Sequence, residues 1–235
     1  MLFRSVVEIG PGTGELTAKL AQLARHVVAV ELDERLMPLL EERFADTRNV
    51  YLVFDDILKT NVQQLVGIKP YVVVANVPYY ITSEILRTLL DAERRPKRIV
   101  ITMQYEVAER IVAKPGDLSV LGVSVQYYGV PRIVGRLKPA VFWPRPGIDS
   151  AILRVDTHPA PIVDVPSDKL FFRVVRAGFS QKRKQLKNAL SGGLQMKSST
   201  AGEYLARAGI DASRRAETLT IDEWATLTRT IAPDL

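Results

Sequence analysis

The stretch Asn76-Val77-Pro78-Tyr79 carries the residue types that point most clearly to chemistry, and it follows an apolar run that predicts a strand. An amino group on a nucleobase is a weak nucleophile because its lone pair is delocalised into the ring. The Asn76 side-chain oxygen and the backbone carbonyl of Val77 or Pro78 could accept hydrogen bonds from that amine, while Tyr79 stacks on the base. Pro78 would hold the acceptors in place because its ring fixes the backbone. The alternative is an ordinary strand-to-helix turn, where Asn and Pro are common.

A glycine-rich turn follows the first predicted strand, in the segment VVEIGPGTGELT. Gly10, Gly12 and Gly14 allow the backbone to turn sharply and to approach a ligand. Glu31 lies 21 residues after Gly10, at the end of the second predicted strand. A carboxylate at that position can accept hydrogen bonds from both hydroxyls of a ribose. Together these features indicate a cofactor that contains a nucleoside.

The spacing of the turn favours S-adenosylmethionine over a dinucleotide. A dinucleotide fingerprint requires a third glycine where this chain has Glu15, and a carboxylate there would oppose a pyrophosphate at the helix start. Glu8, two residues ahead of Gly10, suits a cofactor with a cationic amino acid end. Asp56, after the third predicted strand, could accept a hydrogen bond from the cofactor's adenine amino group. We therefore expect Glu8, the three glycines, Glu31 and Asp56 to bind S-adenosylmethionine.

These residues require a sheet that brings strand ends together, and the pattern of the chain predicts one. Strands alternating with helices predict an α/β domain of Rossmann-like architecture with a mostly parallel sheet covered on both faces. The predicted strands cover residues 6–9, 26–30, 50–54, 71–75, 99–103, 133–137 and 151–155, and the predicted helices cover residues 16–23, 36–44, 81–90 and 105–112.

A connector and a helical domain are predicted after this α/β part. Pro159, Pro161 and Pro166 favour an extended segment, and the pattern beyond it is helical throughout. Thr220 with Glu223 forms a capping-box pattern that predicts a last helix from about Ile221. We expect an α/β domain at residues 1–157, a linker at 158–166 and a small all-helical domain at 167–235.

The composition excludes several classes of protein. Among 235 residues there is no cysteine, which excludes disulfides and thiolate metal sites, and we expect no bound metal. No apolar run approaches a membrane span and no export signal is recognisable at the start, so a cytoplasmic location is expected.

The positive charge is concentrated near the carboxyl terminus. Residues 1–166 carry 20 basic and 19 acidic side chains, whereas residues 167–235 carry 12 and 7. Residues 169–202 contain eight lysines and arginines and no acidic residue. Such a stretch suits a polyanion, although a solvated basic helix face is the alternative. We expect Lys182, Arg183, Lys184 and Lys187 to contact RNA.

With these motifs assembled, the chain resembles the small-subunit ribosomal RNA adenine N6,N6-dimethyltransferases, the family whose loss gives kasugamycin resistance in bacteria. The resemblance covers nearly the whole chain, and the motifs are highly specific in combination. They are VEIGPGTGELT, VELD at 30–33, Asp56, NVPYYIT at 76–82, VFWPRPGIDSA at 141–151, FSQKRKQLKNAL at 179–190 and AGIDASRRAETLTIDEW at 208–224.

The resemblance implies an enzyme that dimethylates adenines of small-subunit ribosomal RNA during ribosome biogenesis, with S-adenosylmethionine as methyl donor. It implies that Asn76 also contacts the cofactor and that residues 76–79 hold the target adenine. Phe142 would close on the base from the side opposite Tyr79, and Arg145 in the same segment is expected to contact RNA. The expected partner is an assembling small ribosomal subunit, and the expected oligomeric state is a monomer.

One departure from the family pattern bears on the cofactor. The chain starts five residues before Val6, without the Gly-Gln-x-Phe-Leu-like segment that covers the cofactor in the family, so weak cofactor binding is expected. A non-catalytic RNA-binding assembly factor is therefore one alternative. A methyltransferase acting on large-subunit RNA or DNA is another, although the segment FSQKRKQLKNAL favours the small-subunit enzymes.

Overall fold

The computed structural model describes residues 3–143 and 145–234, with side chains described from Ser5 onward. The strands within these residues are β1 (Phe3–Ile9), β2 (Ala24–Glu31), β3 (Val50–Phe54), β4 (Val72–Ala75), β5 (Arg98–Gln104), β6 (Gly129–Leu137) and β7 (Ser150–Thr157). The α-helices are α1 (Glu15–Leu23), α2 (Met37–Phe44), α3 (Val62–Val66), α4 (Thr82–Asp91), α5 (Tyr105–Val112), α6 (Val120–Tyr128), α7 (Asp168–Phe179), α8 (Leu186–Leu194), α9 (Ser198–Arg207) and α10 (Ile221–Ile231).

The seven strands form one sheet in the order β3-β2-β1-β4-β5-β7-β6. The pairs β1 with β2, β1 with β4, β2 with β3 and β4 with β5 are parallel, and β7 pairs with β5 in the antiparallel direction. The predicted mostly parallel α/β sheet is thus confirmed. Its inner strands are near-continuous apolar runs, as expected where both faces are buried, and Val7, Val27 and Val73 have no exposed surface.

The strand order reverses between β1 and β4, which are neighbours although two strands and three α-helices separate them in the chain. Ile9 at the end of β1 pairs with Ala75 at the end of β4. The glycine turn after β1 and the Asn76 stretch after β4 therefore leave the same edge of the sheet side by side. Ligands of open α/β sheets bind in the crevice at such a reversal.

The chain divides into two compact units. The first unit holds the residues up to Ala108 together with Val130–Pro159, and the second holds Glu109–Gly129 together with the residues from Ala160 onward. Each unit consists of two separate stretches of the chain. The single domain boundary predicted at residues 158–166 stays a prediction.

The second unit is built around aromatic side chains. Tyr127 stacks on Phe171 with ring centroids 4.4 Å apart, and Phe172 packs edge-on against Tyr127. The hydroxyls of Tyr127 and Tyr128 each donate a 2.8 Å hydrogen bond to the Asp168 carboxylate at the start of α7. These bonds attach α6 to α7 within this unit.

Local sequence signals and the structure agree at most element ends. The capping box is confirmed, because Thr220 Oγ1 accepts from the Glu223 amide and the Glu223 carboxylate accepts from the Thr220 amide. Two helices were not predicted, α3 and α6. The sequence of α6, VLGVSVQYY, is apolar on most sides because the helix is largely buried, so no helical period is visible. Among the described helices, none has the length and apolar character needed to cross a membrane.

Candidate active site

The glycine turn after β1 is held in the left-handed region of backbone space. Gly10, Gly12 and Gly14 have φ of 69°, 57° and 83°. The Gly10 amide donates to the Val30 carbonyl at 2.9 Å, so the turn begins as an extension of the β1–β2 ladder. A β-carbon at Gly10 would lie 2.8 Å from Val77 Cγ1, whereas one at Gly12 would meet no atom within 4 Å. The turn thus contacts the Asn76 stretch at Gly10 and leaves open space at Gly12.

Glu31, at the end of β2, is oriented by backbone amides. Its Oε2 accepts from the Gly12 amide at 3.0 Å, and its Oε1 accepts from the amides of Leu32 and Asp33 at 2.9 and 3.0 Å. A carboxylate has about four acceptor positions, so this side chain can still accept a hydrogen bond from a ligand hydroxyl. The bond to Gly12 also ties the acid to the glycine turn, which the sequence spacing alone did not predict.

Glu8, on β1, is a buried acid. It is 1% exposed, and neither carboxyl oxygen makes a hydrogen bond within the described residues. Burial raises the pKa of Glu8 to about 7, the nearby Thr17 hydroxyl works in the opposite direction, and the negative charge of Glu31 adds to the increase. Such a carboxyl gains most from a cationic ligand, because an ammonium group would offset the cost of burying its charge.

Asp56, in the turn after β3, is engaged on both oxygens. Its Oδ1 accepts from the Leu58 amide at 3.0 Å, and its Oδ2 lies 3.3 Å from Lys59 Nζ. The amide of Leu58 is the main cause that lowers the pKa of Asp56, so the side chain is an ionised acceptor at neutral pH. Lys59 is largely exposed and can turn away, which would free Oδ2 for an amino group.

The Asn76 stretch presents free acceptors at the carboxyl edge. Asn76 is exposed, and its side chain makes no hydrogen bond to any described residue. The Pro78 carbonyl accepts from the Ile81 amide at 3.3 Å, which leaves the Val77 carbonyl as the less committed of the two candidate acceptors. The Tyr79 hydroxyl is 2.5 Å from Ser150 Oγ, and the Tyr79 carbonyl accepts from the Thr82 hydroxyl at 2.9 Å. Tyr79 is therefore held at both ends, while Asn76 remains available.

The segment between β6 and β7 carries the remaining predicted residues of the first unit. Phe142 is half-buried and Arg145 is exposed. Trp143 is 97% exposed, and Tyr80, beside Tyr79, is 85% exposed. Tyr79 and Phe142 do not form a ring pair in the part of the chain that is described. Pro144, in the same motif, lies outside the described residues.

The predicted RNA-binding residues of the second unit lie where α7 passes into α8. Lys182, Arg183 and Lys184 are exposed, and Lys187 is half-buried in the first turn of α8. The start of α8 is held by the Leu186 amide, which donates to the Arg214 carbonyl at 2.7 Å. This segment is thus an anchored, positively charged turn. Its role in binding stays a prediction.

A cavity of about 550 Å³ lies at the opposite edge of the sheet, where β4 and β5 begin. It is lined in part by Lys69, Arg94 and Lys97 and contains none of the predicted site residues. The predicted cofactor residues and the Asn76 stretch lie instead at or just after the carboxyl ends of β1, β2, β3 and β4. Ser150 is the site-adjacent residue that the sequence analysis missed. Its only sequence signal is its place in the motif VFWPRPGIDSA.

A sheet of this topology, with a glycine turn after β1, an acid at the end of β2 and a polar stretch after β4, has the fold of Rossmann-like S-adenosylmethionine-dependent methyltransferases. Solved structures agree. A dimethyladenosine transferase from Plasmodium falciparum aligns with a TM-score of 0.82 at 24% identity, covering 97% of this chain and 90% of that one. The 23S rRNA methyltransferase ErmE aligns with a TM-score of 0.73 at 25% identity, covering 98% and 91%.

The sequence comparisons define the family. The family model described as ribosomal RNA adenine dimethylase matches residues 4–233. A protein of Dehalococcoides mccartyi named ribosomal RNA small subunit methyltransferase A is 44% identical over 224 residues, which is 95% of this chain and 77% of that protein. A protein of the same name from Moorella thermoacetica is 45% identical, over 97% of this chain and 82% of its own length. The chain belongs to the ribosomal RNA adenine dimethylase family, as the resemblance predicted.

Proposed function

We propose that this protein transfers two methyl groups from S-adenosylmethionine to the N6 amino group of adenine in small-subunit ribosomal RNA. The observation that carries the proposal is the contact between the glycine turn and the Asn76 stretch at the strand-order reversal. Val77 lies against Gly10, so a donor at the turn and an acceptor at Asn76 would be neighbours. The name that the relatives share favours the small subunit over the large one.

The residues at the carboxyl edge fit S-adenosylmethionine. Glu8 would face its ammonium group, Glu31 its ribose hydroxyls and Asp56 its adenine amino group. The open space at Gly12 and the Glu8 carboxyl, which accepts no hydrogen bond among the described residues, support this assignment. When bound, the cofactor supplies an electrophilic methyl group on a sulfonium.

The chain's own contribution is to bind and orient the adenine. Asn76 Oδ1 and the Val77 carbonyl would accept hydrogen bonds from the adenine amino group, which favours a more tetrahedral nitrogen and directs its lone pair. Each transfer would form one nitrogen–carbon bond while the methyl–sulfur bond of the donor breaks to leave a neutral thioether, and the nitrogen would release one proton to water. Positioning of this kind can supply a large part of a rate enhancement without a strong base.

Aromatic stacking would hold the base between Tyr79 and Phe142. Stacking of a base on an aromatic side chain is worth about 1 to 3 kcal/mol, and it tolerates small shifts of the base. That tolerance suits a site that must accept first an unmethylated and then a monomethylated adenine. The flipped base would have to leave its helix or loop to reach this position.

The partner that we propose is an assembling small ribosomal subunit, bound by a monomer in the cytoplasm. Lys182, Arg183, Lys184, Lys187 and Arg145 would contact phosphates. The concentration of uncompensated basic side chains in the carboxyl-terminal part of the chain supports this.

Incubation with methyl-labelled S-adenosylmethionine and undermethylated small subunits tests the proposal. The RNA is digested and the labelled nucleoside is identified. We expect N6,N6-dimethyladenosine, and we expect its loss in Asn76→Ala but not in Gln64→Ala, which removes an exposed amide from α3. No label despite subunit binding would contradict the proposal and favour an assembly factor, whereas label only in large subunits or in duplex DNA would reassign the substrate.

A further inference from the structure

Asp149 immediately precedes β7 and Ser150 is the first residue of that strand, and each is linked to one of the two aromatic residues proposed to hold the base: Ser150 by a hydrogen bond to Tyr79, Asp149 through the chain segment that carries Phe142. Ser150 pairs across the sheet with Gln104, the last residue of β5. Asp149 ends the segment that carries Phe142, and Ser150 forms a hydrogen bond with Tyr79.

Ser150 holds Tyr79 across 71 positions of sequence. Its side chain is completely buried, and its Oγ is 2.5 Å from the Tyr79 hydroxyl. The buried hydroxyl belongs to a sheet strand, which is a rigid element, whereas Tyr79 begins a short 3-10 turn. The hydrogen bond thus ties the far end of the Tyr79 ring to the sheet.

Asp149 joins the two ends of the chain segment that carries Phe142. Its Oδ2 accepts from Arg136 Nε at 2.7 Å and from Lys138 Nζ at 2.8 Å, so both ends of residues 138–149 are joined. The Asp149 carbonyl accepts from the Tyr105 amide at 3.0 Å. The Arg136 guanidinium lies 4.1 Å from the centre of the Tyr105 ring, which adds a cation–π contact to the same cluster.

We propose that Asp149 and Ser150 are positioning residues that set the gap between the base-holding rings, Ser150 through Tyr79 and Asp149 through the segment that carries Phe142. This rests on the proposed function. A gap of one base thickness requires both rings to be fixed to the same support, and Asp149 and Ser150, where the segment passes into β7, provide it. Neither residue touches the reacting atoms.

A double-mutant cycle between Ser150→Ala and Tyr79→Phe tests whether Ser150 positions Tyr79. Each change removes one hydroxyl of the same hydrogen bond and keeps the Tyr79 ring. We expect each to lower kcat/KM for the small subunit roughly 3- to 10-fold, as the net value of one hydrogen bond implies, and the double variant to lose no more than either single one. KM for the cofactor is expected to stay unchanged.

The role of Ser150 would be overturned if the fall in kcat/KM of the double variant equalled the product of the two single falls. It would also be overturned if both single variants raised KM for the cofactor. Thr157→Val is the matched control. It removes a hydroxyl at the other end of the same strand, where Thr157 donates to the Pro96 carbonyl. It is expected to leave methyl transfer unchanged.

The role of Asp149 in positioning the segment that carries Phe142 is tested by Asp149→Asn, with Asp156→Asn as control. Asp156 lies on β7 and pairs with Arg98 and Arg154, so both changes remove a carboxylate that holds two basic side chains. Trp143 reports on the segment itself, and the buried Trp224 contributes the same background to both variants. We expect faster decay of tryptophan fluorescence anisotropy and a several-fold rise in KM for the subunit in Asp149→Asn, with neither effect in the control.

The anisotropy measurement needs no turnover. If the unchanged chain methylates nothing, the proposed function fails, while a mobile Trp143 in Asp149→Asn would still support the closing role of Asp149. Unchanged anisotropy in Asp149→Asn would overturn that role even in a fully active enzyme.

Discussion

Replacing Gly10 by alanine is expected to destabilise this protein more than the same replacement at Gly12. Both glycines have a positive φ that alanine adopts with strain, which costs about 1 to 2 kcal/mol at either position. Only at Gly10 would the added methyl group collide, since it would lie 2.8 Å from Val77 Cγ1. Overpacking of this kind costs about 1 to 3 kcal/mol more.

The expected loss of unfolding free energy is therefore about 2 to 5 kcal/mol for Gly10→Ala and about 1 to 2 kcal/mol for Gly12→Ala. The small gain from restricting the unfolded chain is the same for both and cancels in the comparison. Urea unfolding followed by circular dichroism measures both values. Gly10→Ala is also expected to slow methyl transfer more, because relief of the collision moves Val77 and with it Asn76.

A third variant isolates the collision. In the double variant Gly10→Ala with Val77→Ala, the atom nearest to the new methyl group is removed. After the cost of Val77→Ala alone is subtracted, we expect its loss of unfolding free energy to fall to that of Gly12→Ala. Equal losses at Gly10 and Gly12, or no recovery in the double variant, would refute the contact between the glycine turn and the Asn76 stretch.

Three further predictions concern charge and the helical unit. The pKa of Glu8 is about 7 in the folded chain and 4.5 in the unfolded chain. Between these two pH values the folded chain keeps a proton on Glu8 that the unfolded chain has lost. The free energy of unfolding therefore falls as pH rises from 4.5 to about 7 and is level above that. Glu8→Gln should remove this fall, leaving the variant roughly 3 kcal/mol more stable relative to the parent at pH 8 than at pH 4.5 in paired unfolding curves; parallel curves would contradict the buried charge. Alanine at Lys182, Arg183, Lys184 and Lys187 should reduce the slope of log affinity for small subunits against log salt by up to about 3, and an unchanged slope would remove this segment from the interface. Asp168→Ala should cost about 2 to 4 kcal/mol in thermal unfolding, because it leaves the hydroxyls of Tyr127 and Tyr128 without their acceptor, and a loss below 1 kcal/mol would show that water replaces it.

Much of the fold follows from local patterns. Valine-rich runs, the glycine turn and the Thr220 capping box each depend on residues close together in sequence, so the strands and the last helix could be predicted from them. The buried helix α6 could not, because its partners Asp168 and Phe171 lie some 40 residues further on and remove the need for a polar face.

The same distinction holds for the candidate site. The sequence by itself determined which side chains follow the ends of β1, β2, β3 and β4, and hence the family, the class of cofactor and the chemistry that an amide beside an aromatic ring can perform. Only the tertiary structure decided that Gly12 binds Glu31, that Val77 lies against Gly10 and that Ser150 holds Tyr79. Each of these contacts depends on strand order and register, which arise from packing of the whole sheet and leave no mark in the spacing of neighbouring residues.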